Sequence, residues 1–159
     1  MLKSLLVSFF IVFVASECPN GADYKSDLGY CIFPYNTEID YASAVKACQR
    51  VNGNLISLHN LFQNILLSAY IDEYLSTQST WLGVQSDQFQ VWSWNDASQW
   101  DYEKWGKQEP IDGNHCAMLS LKDQNWHSMD CAEDRAAFLC AIPATPTTQN
   151  TITSTSDYL

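Results

Sequence analysis

The chain has 159 residues, of which 47% are hydrophobic, 13% aromatic and 16% charged. That composition suits a globular domain with a real core and excludes an intrinsically disordered chain. Eighteen acidic residues against eight basic ones give a net charge of −10, which excludes attachment to nucleic acid or anionic lipid through bulk charge.

The N-terminal segment is a leader. Lys3 precedes an apolar run over residues 5–15, and the small residues Ala15 and Ser16 come before Glu17. This pattern predicts a signal peptide over 1–16 and a secreted, extracellular remainder. The run is about a dozen residues, short of the ~20 that cross a bilayer, so no membrane anchor is expected. Cys18, Cys31, Cys48, Cys116, Cys131 and Cys140 follow it. An even number of cysteines in an oxidising compartment predicts disulfides and no free thiol, with the pairing left open by spacing alone.

Cys31, Ile32 and Phe33 read as a first core strand. Tyr41, Ala44, Val45, Cys48 and Val51 recur at helical spacing, with Asp40 as N-cap and Gly53 as stop. After a short extended stretch at 55–58, a second helix is predicted from about Asn60 to Ile71, with Leu61, Phe62, Ile65, Leu66 and Ala69 as its buried stripe. Trp81 to Val84 forms a strand, and Val91, Trp92 and Trp94 a second extended segment before a turn at Asn95 and Asp96. Residues 95–115 read as one long loop, and loops of that length are usually functional or pinned. Three strands are predicted at 116–121, 124–126 and 137–141. Helices first and strands after them predict an α+β fold. From Pro143 the composition changes: residues 144–156 hold six threonines, two serines and Pro146, which predicts a disordered tail over 143–159 that could carry O-glycans. No N-x-[ST] sequon occurs.

Several stretches share an order along the chain. They are the helix segment from Tyr41 to Cys48, Gly53-Asn54-Leu55-Ile56-Ser57-Leu58-His59, Trp81-Leu82-Gly83-Val84 and Trp92-Ser93-Trp94-Asn95-Asp96-Ala97-Ser98. Trp105 before Glu109-Pro110 follows, and then Cys116, Trp126, Cys131 and Cys140. Together they resemble the C-type lectin-like domain, long form, over residues 17–142, with Ala97 where that family has glycine. The resemblance implies two helices packed on antiparallel strands with a long disulfide-pinned loop region. It also implies the pairing Cys18–Cys31, Cys48–Cys140 and Cys116–Cys131.

In sugar-binding members of that family one calcium ion sits between an E-P-N loop and a later W-N-D segment. Calcium takes six to eight oxygen ligands. Glu109 and Pro110 match the loop, but Ile111 replaces its amide, Asn114 replaces an acid, and His127 and Ser128 follow Trp126 where Asn and Asp would stand. These positions imply a degenerate site. No metal or other cofactor is expected, and calcium would be held only weakly by Glu109, Asp112, Asn114 or Asp130.

Glu109, Asp112, Asn114 and His127, with His115 nearby, are the ligand-binding candidates. The resemblance places Trp81, Trp105 and Trp126 in the core; Trp92, Trp94 and Trp100 are less constrained and read first as core, with stacking platforms as the alternative. The histidines lack a nucleophile partner, and neither G-x-S-x-G nor H-E-x-x-H is present, so no catalysis is expected. The resemblance implies recognition of an extracellular glycan, including those of microbial surfaces in innate immunity, through a divergent and largely calcium-independent site. The alternative is a protein ligand bound through the same loops.

Overall fold

The computed structural model describes residues 13–143 and 145–149, with side chains described over 18–143. Among the described residues two helices pack on an eight-stranded sheet, an α+β arrangement. The strands of the sheet are β2 (Asp23–Lys25), β3 (Tyr30–Ile39), β4 (Asn54–Leu55), β5 (Ser79–Ser86), β6 (Trp92–Trp94), β7 (Cys116–Ser120), β8 (Trp126–Met129) and β9 (Ala136–Pro143). They run in the order β2-β3-β9-β5-β7-β8, with β4 on β9 and β6 on β5. Every pairing is antiparallel except β5 on β9. A separate pair, β1 (Phe13–Glu17) and β10 (Thr145–Gln149), joins the two ends of the described chain. The sequence assigns β10 to a disordered tail. The structure departs from that over these five residues, where the β-prone Thr148, Thr147 and Thr145 stand opposite Val14, Ala15 and Glu17, and Gln149 opposite Phe13.

Helix α1 (Tyr41–Arg50) begins as its sequence predicts, with the Asp40 carboxylate accepting from the Ser43 N–H at 2.9 Å. Tyr41, Ala44 and Cys48 are its buried face. Cys48 is joined to Cys140 on β9, and the other disulfides are Cys18–Cys31 and Cys116–Cys131. Under α1 lies one apolar cluster containing Trp81, Phe138 and Leu55. The Trp81 Nε1–H donates to the Ile39 carbonyl at 2.8 Å, so the largest ring in that cluster has its polar atom satisfied.

Helix α2 (Leu61–Tyr74) corrects the predicted stripe. Its buried residues are Asn64, Leu67, Ser68, Tyr70 and Ile71, whereas Leu61, Phe62, Ile65 and Ala69 face solvent and Leu66 is half-buried. The reason is polar. Asn64 sits wholly buried beside a second apolar cluster that includes Leu67, Ile71 and Trp126, where its Oδ1 accepts from Trp126 Nε1 at 2.7 Å and its amide donates to the Gln124 carbonyl at 3.0 Å. The Ser68 hydroxyl donates to the Asn64 carbonyl at 2.9 Å. The helix therefore turns its two small polar residues inward and leaves its apolar stripe outside. The strand predicted at 124–126 is also shifted: Gln124 takes a left-handed φ of 56°, which closes a turn, and the strand starts at Trp126.

Candidate functional site

Strands β7 and β8 form one end of the sheet, with Met118 opposite His127 and Cys116 opposite Met129. Alternation places Met118 and Ser120 on the same face as His127 and Met129, while Trp126 points into the core. Beside that face runs the chain from Trp105 to Asn114. It covers the free edge of β8 step by step. The Trp126 N–H donates to the Lys104 carbonyl at 2.8 Å, and the Gly106 N–H donates to the Trp126 carbonyl at 2.9 Å. The Ser128 N–H then donates to Glu109 Oε2 at 2.9 Å, and the Asn114 amide donates to the Ser128 carbonyl at 2.8 Å. Two side chains thus take over where a backbone ladder would continue, and the strand edge is closed.

Ser128 is the hub. Its hydroxyl donates to Glu109 Oε2 at 2.6 Å and accepts from the Ile111 N–H at 2.7 Å. The second carboxylate oxygen of Glu109 lies 3.3 Å from His127 Nδ1, and His127 Nε2 lies 3.0 Å from Asp123 Oδ2. The Glu109 side chain is only 8% exposed. The peptide bond between Glu109 and Pro110 is cis. Gly106 lets the loop approach the imidazole: a Cβ there would stand 2.8 Å from His127 Cε1. Asp123 is held below the usual carboxylate range: burial raises it, but the Asn125 N–H and His127 lower it further.

The result is a groove of about 600 Å³ whose lining includes Glu109, Ile111, Asn114, Met118, His127 and Met129. Of the predicted site residues, Glu109, Asn114 and His127 meet there, with Ile111 and Ser128. Asp112 does not line it; it stands exposed in the turn before Gly113. His115 turns to Ser86, whose hydroxyl is 2.8 Å from its Nδ1. Asp130 accepts the Ala132 and Glu133 N–H groups of its own turn. Met118, Lys122, Asp123, Met129 and Asp134 also line the groove and carry no motif of their own. Strand alternation about His127 is the one signal that would have pointed to Met118 and Met129. Among the tryptophans, Trp81, Trp94 and Trp126 are buried, so Trp94 is no platform. Trp105, expected in the core, is half-buried and stacks in a tilted pair with Trp92 at 4.7 Å. Trp100 borders a separate hollow of about 270 Å³ with Tyr102.

Comparisons with known proteins agree with this architecture. The lectin C-type domain family matches residues 37–142. The galactose-specific lectin nattectin of Thalassophryne nattereri is 31% identical over 131 residues, covering 79% of this chain and 80% of that protein. Regenerating islet-derived protein 4 of Mus musculus is 32% identical over 130 residues, with 79% and 80% covered. Among solved structures, human lithostathine superposes with a TM-score of 0.71 at 26% identity, covering 80% of this chain and 91% of its own. A calcium-independent type II antifreeze protein superposes with a TM-score of 0.72 at 24% identity, covering 82% and 98%, a likeness of fold alone. The family match spans most of the chain and two relatives exceed 30% identity over most of their length, so this chain belongs to the C-type lectin domain family.

Proposed function

We propose that the chain is a secreted recognition protein that binds carbohydrate at the β7–β8 groove without calcium, and that it performs no catalysis. The observation that carries the reading is the state of Glu109. Oε2 already accepts two hydrogen bonds from Ser128, and Oε1 faces His127. Calcium needs six to eight oxygens, several of them charged. Ile111 offers no side-chain oxygen, His127 stands where a carboxamide or carboxylate oxygen would be needed, and Asn114, whose Nδ2 donates to the Ser128 carbonyl, offers only one neutral oxygen. The donor set does not fit the ion, and Ser128 supplies the cross-link between loop and strand that a metal would otherwise provide. A groove that is ordered without a metal can hold sugar hydroxyls against Asn114, Asp123 and His127, with Met118 and Met129 as its apolar floor.

Carbohydrate is favoured by the likeness to a relative named for galactose, although that likeness assigns no sugar here. Secretion rests on the leader over 1–16; among the described residues no helix is long and apolar enough to cross a membrane. A glycan array probed with and without chelator tests the reading. Sugar binding that survives chelation is expected. Binding abolished by chelator would overturn the calcium-free site. Binding to no glycan would favour the second reading, a protein ligand, for which the exposed apolar residues Phe89, Val91 and Ile111 around the loops speak. Intact mass of the secreted protein should begin at Glu17; a mass retaining 1–16 would remove the leader from the account.

A further inference from the structure

Helix α2 has two apolar sides. Leu67 and Ile71 face the core, while Leu61, Phe62, Ile65 and Ala69 share the opposite face at helical spacing. Leu61 is 52% exposed, Phe62 59% and Ile65 46%. Large apolar side chains on consecutive turns make one contiguous patch, which marks an interaction site where scattered residues would not. Two hollows extend it. One, of about 330 Å³, includes Ile65, Asp72 and Leu121 in its lining, and the other, of about 260 Å³, includes Tyr24, Leu66 and Glu73. Ala69 lines both, so the patch and hollows are continuous.

Charge selects the occupant. Helix α2 contains no Lys or Arg, and exposed Asp72 and Glu73 flank the stripe at its C-terminal end. Asp27 borders the second hollow. The cation in that hollow, Lys25, is already engaged: its ammonium lies 4.6 Å from the centre of the Tyr70 ring and 5.0 Å from that of Tyr74. A second copy docked face to face would oppose the same acidic rim to itself. An anionic membrane would be repelled by it. We infer that this face docks a cationic amphipathic segment of a protein partner. Its apolar side covers Phe62 and Ile65, and its Lys or Arg residues reach Asp72 and Glu73.

The test uses the full chain and a synthetic amphipathic peptide of leucine and lysine, titrated by calorimetry. The double variant Phe62→Ser with Ile65→Ser alters only exposed positions and should keep its melting temperature; it should bind at least about tenfold more weakly. Asp72→Asn with Glu73→Gln should also weaken binding and flatten its dependence on salt. Unchanged affinity in the serine variant would overturn the inference. So would equal binding of a lysine peptide of the same charge without leucines, since that is attraction to net charge alone. A wild-type dimer that the serine variant converts to monomer would make a second copy the occupant and reject the cationic partner. Binding to phosphatidylcholine vesicles in place of the peptide would reject it likewise.

Discussion

Ala97 holds a backbone conformation that its methyl group disfavours, with φ at 61°. An L-residue in that region costs about 1–2 kcal/mol, so the surroundings must impose it. They do so through Asp96, whose carboxylate accepts from the Ser57 hydroxyl at 2.6 Å and from the Ser98 N–H at 2.9 Å. The Ala97 N–H itself donates to the Trp94 carbonyl at 3.2 Å. Replacing Ala97 with glycine removes the steric cost but restores freedom to the unfolded chain worth roughly 0.5–1 kcal/mol. The balance is a net gain of about 0.5–1 kcal/mol, visible as a higher melting temperature. Asp96 brings a pH dependence to the same turn. Burial raises its pKa, yet the hydrogen bonds from Ser57 and Ser98 outweigh that and hold it below the usual carboxylate value. A depressed folded pKa stabilises above the unfolded value of about 3.9, and the gain is lost as pH falls through the folded one. Asp96→Asn should therefore have a lower urea midpoint than the parent at pH 7. The gap should narrow below about pH 4, and a gap independent of pH would rule out the linkage.

At the scale of elements, α2 shows what a polar residue in a core controls. Asn64 bridges the helix to β8 through Trp126 and to the turn before it through Gln124. Asn64→Leu fits the apolar cluster in volume but strands the buried Trp126 indole N–H, while the Gln124 carbonyl keeps its bond from Lys104 Nζ at 2.8 Å. That orphan costs about 1–3 kcal/mol, more than the added apolar burial returns, so urea denaturation should show a net loss of about 1–2 kcal/mol. The same residue explains why the helix was legible and its orientation was not. A helix apolar on most sides has no single stripe for periodicity to find. Local chemistry was readable where it stayed local: the Asp40 cap acts on Ser43, three residues away. The groove divides in the same manner. The shortage of calcium oxygens at Ile111, His127 and Ser128 is visible as residue types. The Ser128–Glu109 hydrogen bond joins positions 19 residues apart and becomes visible only once β8 lies beside the loop.

For the whole molecule, the pairing of β1 with β10 and the disulfides bear on how the chain ends are held. Removal of residues 1–16 would leave only Glu17 of β1, so the β1–β10 pair can persist only in the uncleaved chain. In a chain cleaved there, the ends would rely on covalent links, and these should differ in weight. Cys48 and Cys140 are fully buried and 92 residues apart, whereas Cys18 and Cys31 are separated by 13. If a disulfide acts by restricting the unfolded chain, the longer closure contributes about 4.5 kcal/mol and the shorter about 3. Total stability of a domain this size is about 5–15 kcal/mol, so loss of the longer link leaves little margin. Urea unfolding of Cys48→Ala with Cys140→Ala should therefore show a larger loss than Cys18→Ala with Cys31→Ala. The buried pair adds a cavity cost in the same direction, since two sulfurs leave the core beneath α1. Equal losses would mean that neither chain entropy nor core packing ranks the links. The short N-terminal bond would then contribute mainly by fixing β3 in the folded state, where Cys31 pairs with Ile142 of β9.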